Sequence, residues 1–345
     1  MLVTSKKVLV SCGLAMILAA AGLYGAEELP LVNTETLSLK DIENLSISYG
    51  HDEVILRESE TGDLVIREYM TRDQDRYHVR VSRTGRTVQI RRGRRPWFLR
   101  WNWRARVEIY LPRSFRENLR IVNSSGIVSG DADLLNYKSI DLTVSSGSAL
   151  FNAISGETVS VHVSSGEADI RELGGGSFVS VSSGRMQIGA LTGGEHRIKV
   201  SSGRLRIKDL EGDSAVEISS GGIAIEKART AMDLHISSGN ITVGEFSGRG
   251  NFEMSSGTLT MDIKELTGDP WFRVSSGNIS VTLPAALPFN LDALTKSGRV
   301  TVHETGGQEP LQVSGNSTVL RPFGPSPERT IYTRTSSGNI SITRK

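Results

Sequence analysis

The chain has 345 residues, with 40 basic and 38 acidic side chains and a formal net charge of +2, so it is not a polycation as a whole. Aromatic residues make up 6%, which is low for a compact spherical core, whereas the 36 glycines recur at regular intervals and favour a repeat architecture. Cys12 is the single cysteine, which excludes a disulfide framework, a CxxC zinc site and a cysteine nucleophile in the body of the chain.

Residues 1–26 have the features of an export signal. Lys6 and Lys7 precede an uncharged run from Val8 to Ala26, which ends in small residues. An uncleaved membrane anchor stays open, because the run approaches the length of a membrane span. We therefore expect an exported protein, located in the periplasm, in the cell envelope or outside the cell. A mature chain without cysteine fits these compartments.

Residues 27–108 alternate apolar and polar side chains in several short runs, which predicts β-strands. We expect them to form an irregular N-terminal β cap over the first coil of the repeat, because an uncovered sheet edge invites strand addition.

This cap contains the main compositional anomaly of the chain, the Arg/Trp segment 91–106, with seven arginines, no acid and three of the four tryptophans. One interpretation is a contact site for an anionic lipid surface, an acidic envelope polymer or a protein partner. The other is a hairpin whose tryptophans cover the end of the fold while the arginines stay solvated. The candidate binding residues are Arg94, Arg95, Trp97, Arg100, Trp101, Trp103 and Arg104.

Residues 109–345 contain a repeat of 18 to 21 residues, marked by the triplet Ser-Ser-Gly. Apolar residues occupy the third and fifth positions before each glycine and the second and fourth after it, so each repeat predicts strand, corner, strand. We expect the glycines to supply the positive φ that a bend requires. The corner glycines are Gly126, Gly147, Gly166, Gly184, Gly203, Gly221, Gly239, Gly257, Gly277, Gly298 (in a degenerate Lys-Ser-Gly) and Gly338.

One such repeat cannot bury its own apolar face, whereas stacked repeats can. The sequence therefore predicts an all-β fold, a parallel β-solenoid of about ten to twelve short coils. A β-sandwich of hairpins is the alternative, but hairpins do not require a near-constant repeat length.

The second serine of each triplet shares the parity of the inward positions, which predicts an internal ladder of serine hydroxyls. Residues 343–345 are expected to form a charged final edge, after a Pro-rich loop at 321–327 between the last two coils.

Few residues suggest catalysis or ligation. His162, His196 and His235 are expected to be exposed on strands, and carboxylates such as Asp169 and Asp213 show no cluster. Neither a metal-ligand spacing nor a nucleotide-binding motif is present, so we predict no cofactor and no metal site. The position after the corner glycine forms a polar ladder that could bind a polymer, although a solvated sheet face is the favoured interpretation: Arg185, Arg204, Asn240, Thr258, Asn278, Arg299 and Asn339.

The repeated VxVSSGxIxI pattern, the Leu-Pro pairs at 111–112 and 283–284 and the export signal resemble the bacterial β-strand-repeat family of candidate adhesins, a domain of unknown function. The resemblance covers residues 109–342 and implies a solenoid at the cell envelope. We predict a non-enzymatic adhesin or scaffold that binds an envelope component or a partner, and no nucleic acid because of the exported location. The alternatives are a carbohydrate-active β-helix enzyme and an anchored regulator of envelope stress.

Overall fold

The computed structural model describes residues 29–94, 103–304 and 309–345. Within these ranges the regular structure is β-strand, apart from one short 3-10 turn, Asp75–Tyr77. The predicted all-β class and the parallel stacking are therefore confirmed. The predicted signal or anchor, residues 1–26, lies outside the described residues.

Seven strands precede the strand that leads into the first Ser-Ser-Gly triplet. They are β1 (Leu31–Leu37), β2 (Asn44–Tyr49), β3 (Glu53–Ser59), β4 (Leu64–Met70), β5 (Arg80–Thr84), β6 (Thr87–Arg91) and β7 (Ala105–Pro112).

Fourteen strands form the regular middle of the molecule. They are β8 (Asn118–Asn123), β9 (Ile127–Gly130), β10 (Leu134–Val144), β11 (Ser148–Val163), β12 (Glu167–Val181), β13 (Arg185–Thr192), β14 (His196–Val200), β15 (Arg204–Glu211), β16 (Ser214–Ile218), β17 (Gly222–Ile236), β18 (Asn240–Met254), β19 (Thr258–Leu266), β20 (Trp271–Val274) and β21 (Asn278–Leu283). Six more complete the chain: β22 (Phe289–Thr295), β23 (Arg299–His303), β24 (Leu311–Ser314), β25 (Ser317–Phe323), β26 (Thr330–Thr335) and β27 (Asn339–Arg344).

The strands that precede the corners stack in parallel as one face of a rod, here called the leading sheet. Its order is β6-β2-β8-β10-β11-β12-β14-β16-β17-β18-β20-β26-β22. The strands that follow the corners form the trailing sheet, in the order β7-β3-β9-β11-β12-β13-β15-β17-β18-β19-β21-β27-β23. The long strands β11, β12, β17 and β18 bend and contribute to both.

Each pair of one leading and one trailing strand is a rung of the rod. Each order contains thirteen strands, so at about 4.8 Å per rung the rod is on the order of 60 Å long. The rod exceeds the ten to twelve coils counted from the triplets because β2/β3 and β6/β7 are rungs without a triplet. A division of the chain at residue 108 stays a prediction, although strands from both sides of it share these two sheets.

The core is a column of apolar side chains between the two sheets. The positions that alternation predicted as inward are buried: Val161, Val163, Val179, Val181, Met186, Ile188, Ile198, Val200, Leu205 and Ile207. Each rung places such residues directly above those of the next, because the register in both sheets is in phase with the repeat. The sheets therefore bury one continuous apolar stack.

The corner glycines have a different physical role from the one expected. Of the corner glycines only Gly257 has a positive φ, so the expectation that each supplies one is wrong. A Cβ on Gly166 would lie 2.2 Å from the carbonyl oxygen of Gly147, and a Cβ on Gly184 would lie 2.3 Å from that of Gly166. That carbonyl accepts a hydrogen bond from the residue after the next corner, as in Glu167 N–H to Gly147 O at 2.9 Å. Glycine is required because stacked backbones approach too closely for any side chain.

Positive φ occurs instead at the second bend of the middle rungs, at Gly175 (99°), Gly193 (79°) and Gly212 (107°). These glycines lie nine residues after a corner glycine. In these three rungs the second bend is therefore the one that uses left-handed backbone, whereas the equivalent Thr230 and Gly248 have no positive φ.

The predicted internal ladder of serine hydroxyls is also wrong. The second serines of the triplets, such as Ser165, Ser183 and Ser202, are exposed. Their backbones form the ladder instead, since Ser183 N–H donates to Ser164 O at 2.6 Å in the preceding rung. The glycine, rather than the serine, faces the interior of the corner, because the backbone turns between the two residues.

At both ends of the rod the order of rungs departs from the order of the chain. The rung β2/β3 lies inside β6/β7, which follows it in sequence, and β26/β27 lies inside β22/β23, which precedes it. Antiparallel strands cover the outermost rungs: β5 and β4 with β1 at one end, β24 and β25 at the other.

The expected charged final edge is therefore wrong, because β27 pairs on both sides, with β21 and β23. The side chain of Arg344 is 11% exposed and pairs with Glu304 at 2.8 Å. Arg321–Phe323, expected in a loop, belong to β25, where Phe323 stacks on Phe289 with ring centroids 5.0 Å apart.

Candidate binding site

The Arg/Trp segment begins and ends at the N-terminal end of the rod. Of the predicted binding residues the structure describes Arg94, Trp103 and Arg104. The other four lie outside the described residues: Arg95, Trp97, Arg100 and Trp101. Arg94 N–H donates to Arg76 O at 2.8 Å, and Thr71 N–H donates to Arg104 O at 3.2 Å. Both ends of the segment are thus tied to the stretch that links β4 to β5.

Trp103 packs into the end of the rod. Its ring meets that of the buried Tyr77 edge-on, with centroids 4.9 Å apart and an interplanar angle of 81°. The indole Nε1 is buried and has no acceptor among the described residues. Arg94 and Arg104 are exposed on either side. Trp103 therefore has the covering role of the second interpretation, while the two arginines are presented to solvent as the first requires.

The basic residues at the N-terminal end extend over a longer stretch than the segment itself. Residues 71–106 contain twelve arginines and two aspartates, a net charge of +10. Residues 29–70, at the same end of the rod, contain nine acidic and three basic residues, so this end carries +4 and residues 107–345 carry −2. Arg80 and Arg83 on β5, the outermost strand of the leading sheet, are exposed. Sequence reasoning missed these two residues. The charge density of residues 71–106 was the signal that could have revealed them.

The apolar end of β1 lies at the same end of the rod. Leu31, its first residue, is 52% exposed, and β1 is the outermost strand of the trailing sheet there. The apolar run at residues 8–26 therefore precedes a strand at the basic end.

A groove with a volume of about 890 Å³ runs along the outside of the leading sheet. It crosses the start of seven consecutive leading strands, from Thr158 to Asp269. Six of its lining residues lie six positions before a corner glycine: Ser160, Phe178, Arg197, Ala215, Asp233 and Asn251. Trp271 holds the same position on the next rung. Phe178 is 40% exposed, and Trp271 borders a smaller cavity of about 160 Å³ with Asn251, Glu253 and Arg273. The groove and the smaller cavity share Asn251.

Four carboxylates line this groove, so the sequence-based view that the carboxylates are scattered is incomplete. They are Glu195, Asp213, Asp233 and Asp269. Sequence reasoning missed them because they come from separate rungs, and only stacking brings them to one face.

His196 lies under the groove and is buried, 2% exposed, so the expectation of an exposed histidine is wrong for this residue. Its Nε2 lies 2.8 Å from Glu211 O and donates to it, whereas Nδ1 has no partner among the described residues. Burial lowers the pKa of His196, which favours the neutral ring. The equivalent positions on the flanking rungs are Ser177 and Ser214. His235 is exposed, as expected, and His162 is partly exposed.

The polar ladder after the corner glycines is partly used for contacts between rungs. Asn339 Nδ2 donates to Asn278 Oδ1 at 3.0 Å, and Arg185 pairs with Glu167 at 2.5 Å. A ligand on this ladder stays a prediction.

Two negative findings apply to residues 29–94, 103–304 and 309–345. No group of three or more His, Cys, Asp or Glu side chains there could hold a metal ion. No helix in these ranges is long and apolar enough to cross a membrane.

The two stacked parallel sheets define a repeat protein of the β-solenoid type. The family model of Toastrack DUF4097 matches residues 42–229 and, again, residues 178–343, so this chain belongs to that family. The two matches overlap within the regular middle of the rod.

Solved structures with similarity to the chain include three from bacteria. A candidate adhesin from Parabacteroides merdae is 10% identical, with a TM-score of 0.39 over 93% of this chain and 98% of that one. A candidate cell adhesion protein from Clostridium sporogenes is 11% identical, with a TM-score of 0.26 over 91% and 99%. A candidate adhesin from Bacteroides fragilis is 11% identical, with a TM-score of 0.26 over 90% and 96%. No curated protein matches the sequence.

Proposed function

We propose that this protein is an exported, non-enzymatic adhesin or scaffold of the cell envelope, whose basic end contacts an anionic surface. The observation that carries the proposal is the charge distribution: residues 71–106 carry +10, and even with the −6 of residues 29–70 at the same end of the rod this end carries +4, against −2 in residues 107–345. Arginines near an anionic lipid surface contribute about 1 kcal/mol each to binding. Exposed Arg80, Arg83, Arg94 and Arg104 supply such groups.

The orientation of the rod supports the same proposal. An apolar run at residues 8–26 precedes β1, and β1 lies at the basic end. If that run is inserted in a membrane, the basic end faces the lipid headgroups and the rest of the rod, which is nearly neutral, points away. If the run is cleaved, the same charges still steer the rod end-on to an anionic polymer.

The test is sedimentation of the full chain, processed as the producing cell processes it, with vesicles of phosphatidylcholine alone or mixed equally with phosphatidylglycerol. We expect binding to the anionic vesicles only, weakened by salt. The variant R94Q/R104Q should bind about thirtyfold more weakly, since two arginines at about 1 kcal/mol each amount to about 2 kcal/mol.

The matched control is R185Q/R204Q, which removes the same charge from exposed positions in the middle of the rod. It should bind within about twofold of the unchanged protein. Equal losses in the two variants would show a response to net charge alone, and the absence of salt-sensitive binding would overturn the contact with an anionic surface.

A further inference from the structure

The groove on the leading sheet is far from the basic end and has a different chemistry. Phe178 lines the groove, and Trp271 borders the smaller cavity that shares Asn251 with it. The two aromatic residues are five rungs apart, or about 24 Å at about 4.8 Å per rung. Between them lie Arg197, which pairs with Glu217, and the shorter side chains of Ala215, Asp233 and Asn251. An open channel of this length along a rod suits an extended chain rather than a compact small molecule.

Trp271 offers one face of its ring at the C-terminal end of the channel. The other face is covered by Tyr332, whose ring is nearly parallel (9°) with its centroid 4.3 Å away. The rung on the opposite side carries the shorter Asn251, which leaves the cavity of about 160 Å³ beside the indole. The negative face of an aromatic ring attracts weakly positive hydrogens, and the C–H groups on one side of a sugar ring supply these.

Polar side chains line the cavity beside this ring. Asn251 Nδ2 donates one of its two hydrogens to Asp233 at 2.8 Å, and an amide also has a carbonyl oxygen that accepts hydrogen bonds. Arg273 donates to Glu253 at 2.7 Å beside the same cavity. Such a fixed ion pair presents both a donor and an acceptor to one hydroxyl.

The charge of the lining selects the class of ligand. The groove's charged side chains are Glu195, Asp213, Asp233 and Asp269 against Arg197 and Arg249. Arg197 is moreover engaged with Glu217 at 3.1 Å. A phosphate or uronate chain would meet a net negative surface. We propose that this groove binds an uncharged glycan chain, which lies along the rod with one sugar ring stacked on Trp271. The site is separate from the basic end and does not depend on the proposed contact there.

The test is native gel electrophoresis of the full chain through gels that contain dextran, yeast mannan or xyloglucan. We expect at least one of these neutral chains to retard the protein, and the retardation to persist at high salt. Trp271→Ala should weaken that binding at least tenfold. Asn251→Leu, which fills the cavity without removing the aromatic stack, should have a comparable effect.

Trp103→Ala is the matched control, because it removes a tryptophan from the other end of the rod. It should leave glycan binding within about twofold. If none of the neutral chains retards the protein, or if the Trp271 and Asn251 variants both bind normally, the proposal is overturned. R94Q/R104Q should lose vesicle binding but keep glycan binding, so the two proposals fail separately. Release of reducing ends from the bound chain would support the groove but overturn the non-enzymatic role.

Discussion

The middle of the rod and its two ends are built from the same kind of rung, but the rungs follow one another in a different order in the two regions. In the middle each rung follows its predecessor in the chain, and the glycine corners stack with carbonyls as close as backbone allows. At the ends the order changes: β6/β7 lies outside the earlier rung β2/β3, and β26/β27 fills the place between β20/β21 and the outer rung β22/β23. The last strand, β27, is thereby held between two neighbours, whereas β1 lies at an edge.

The corner residue shows how the two regions differ. In β2/β3 the glycine position is taken by Asp52, which is 3% exposed and lies 3.5 Å from Arg92 Nε. The next rung outward has no matching corner, because β6 ends at Arg91 and β7 begins at Ala105. A side chain therefore fits at the end of the rod where the middle admits none. A corner at the end of the rod can hold a residue other than glycine because another corner stacks on it from one side only.

The inserted C-terminal rung can be tested by truncation of a buried side chain. Ile342 on β27 is fully buried between Val281 and Val302 of the two neighbouring rungs. Ile342→Ala should lower the free energy of unfolding by about 4 kcal/mol, as expected for an isoleucine removed from a packed core. Urea unfolding followed by circular dichroism measures this.

Leu320→Ala is the control for the true edge of the leading sheet. Leu320 on β25 is 74% exposed, so its removal should change stability by less than about 0.5 kcal/mol. Equal effects of the two substitutions would place β27 at the end of the rod and contradict the inserted rung.

The close approach of the corners predicts the next largest effect. Gly166→Ala adds a Cβ 2.2 Å from a backbone oxygen that cannot move without disturbing the next rung. We expect a loss of about 3 kcal/mol, typical of an overpacked core. Gly62→Ala is the control, because nothing lies within 4 Å of its added Cβ, and it should be nearly neutral. A Gly166 variant as stable as the Gly62 variant would refute close approach as the reason for glycine.

The regular middle could be predicted from the sequence because its rules are local. Alternation on each side of a fixed triplet determines which residues face inward, and residues such as Val161 and Ile207 are buried accordingly. The order of rungs at the ends could not be predicted in this way. β2/β3 carries no triplet, and its neighbours come from more than 40 residues away in sequence.

The groove could not be predicted from the sequence for a related reason. His196 lies seven positions before Gly203, in phase with the buried Ile198 and Val200, and so it is buried. The expectation of an exposed side chain holds for His235, which lies four positions before its corner glycine. Phe178 and Trp271 are unremarkable in the sequence and become one surface only when the rungs stack.

His196 predicts a pH dependence of stability in the middle of the rod. Burial lowers its pKa below the ordinary 6.5, so the folded state binds the proton less readily than the unfolded state. This contribution is complete above about pH 6.5 and is lost as the pH falls from there towards the pKa in the folded state. The difference in urea midpoint between pH 7.5 and pH 5 should be smaller in His196→Ser, which places a serine beside Ser177 and Ser214. An unchanged difference would contradict the buried neutral histidine.

The smallest effect is expected for the ion pairs on the exposed faces of the middle rungs. Arg206 and Glu226 pair at 2.5 Å, but their side chains remain 63% and 42% exposed. Water screens such a pair, and ordering two long side chains offsets much of the attraction. A double-mutant cycle with Arg206→Gln and Glu226→Gln should therefore give a coupling of less than about 0.5 kcal/mol. A coupling above about 1 kcal/mol would mean that the outer faces, as well as the core and the glycine corners, hold neighbouring rungs together. The regular middle would then depend on its surface charges, and the contrast with the ends would rest on more than backbone packing.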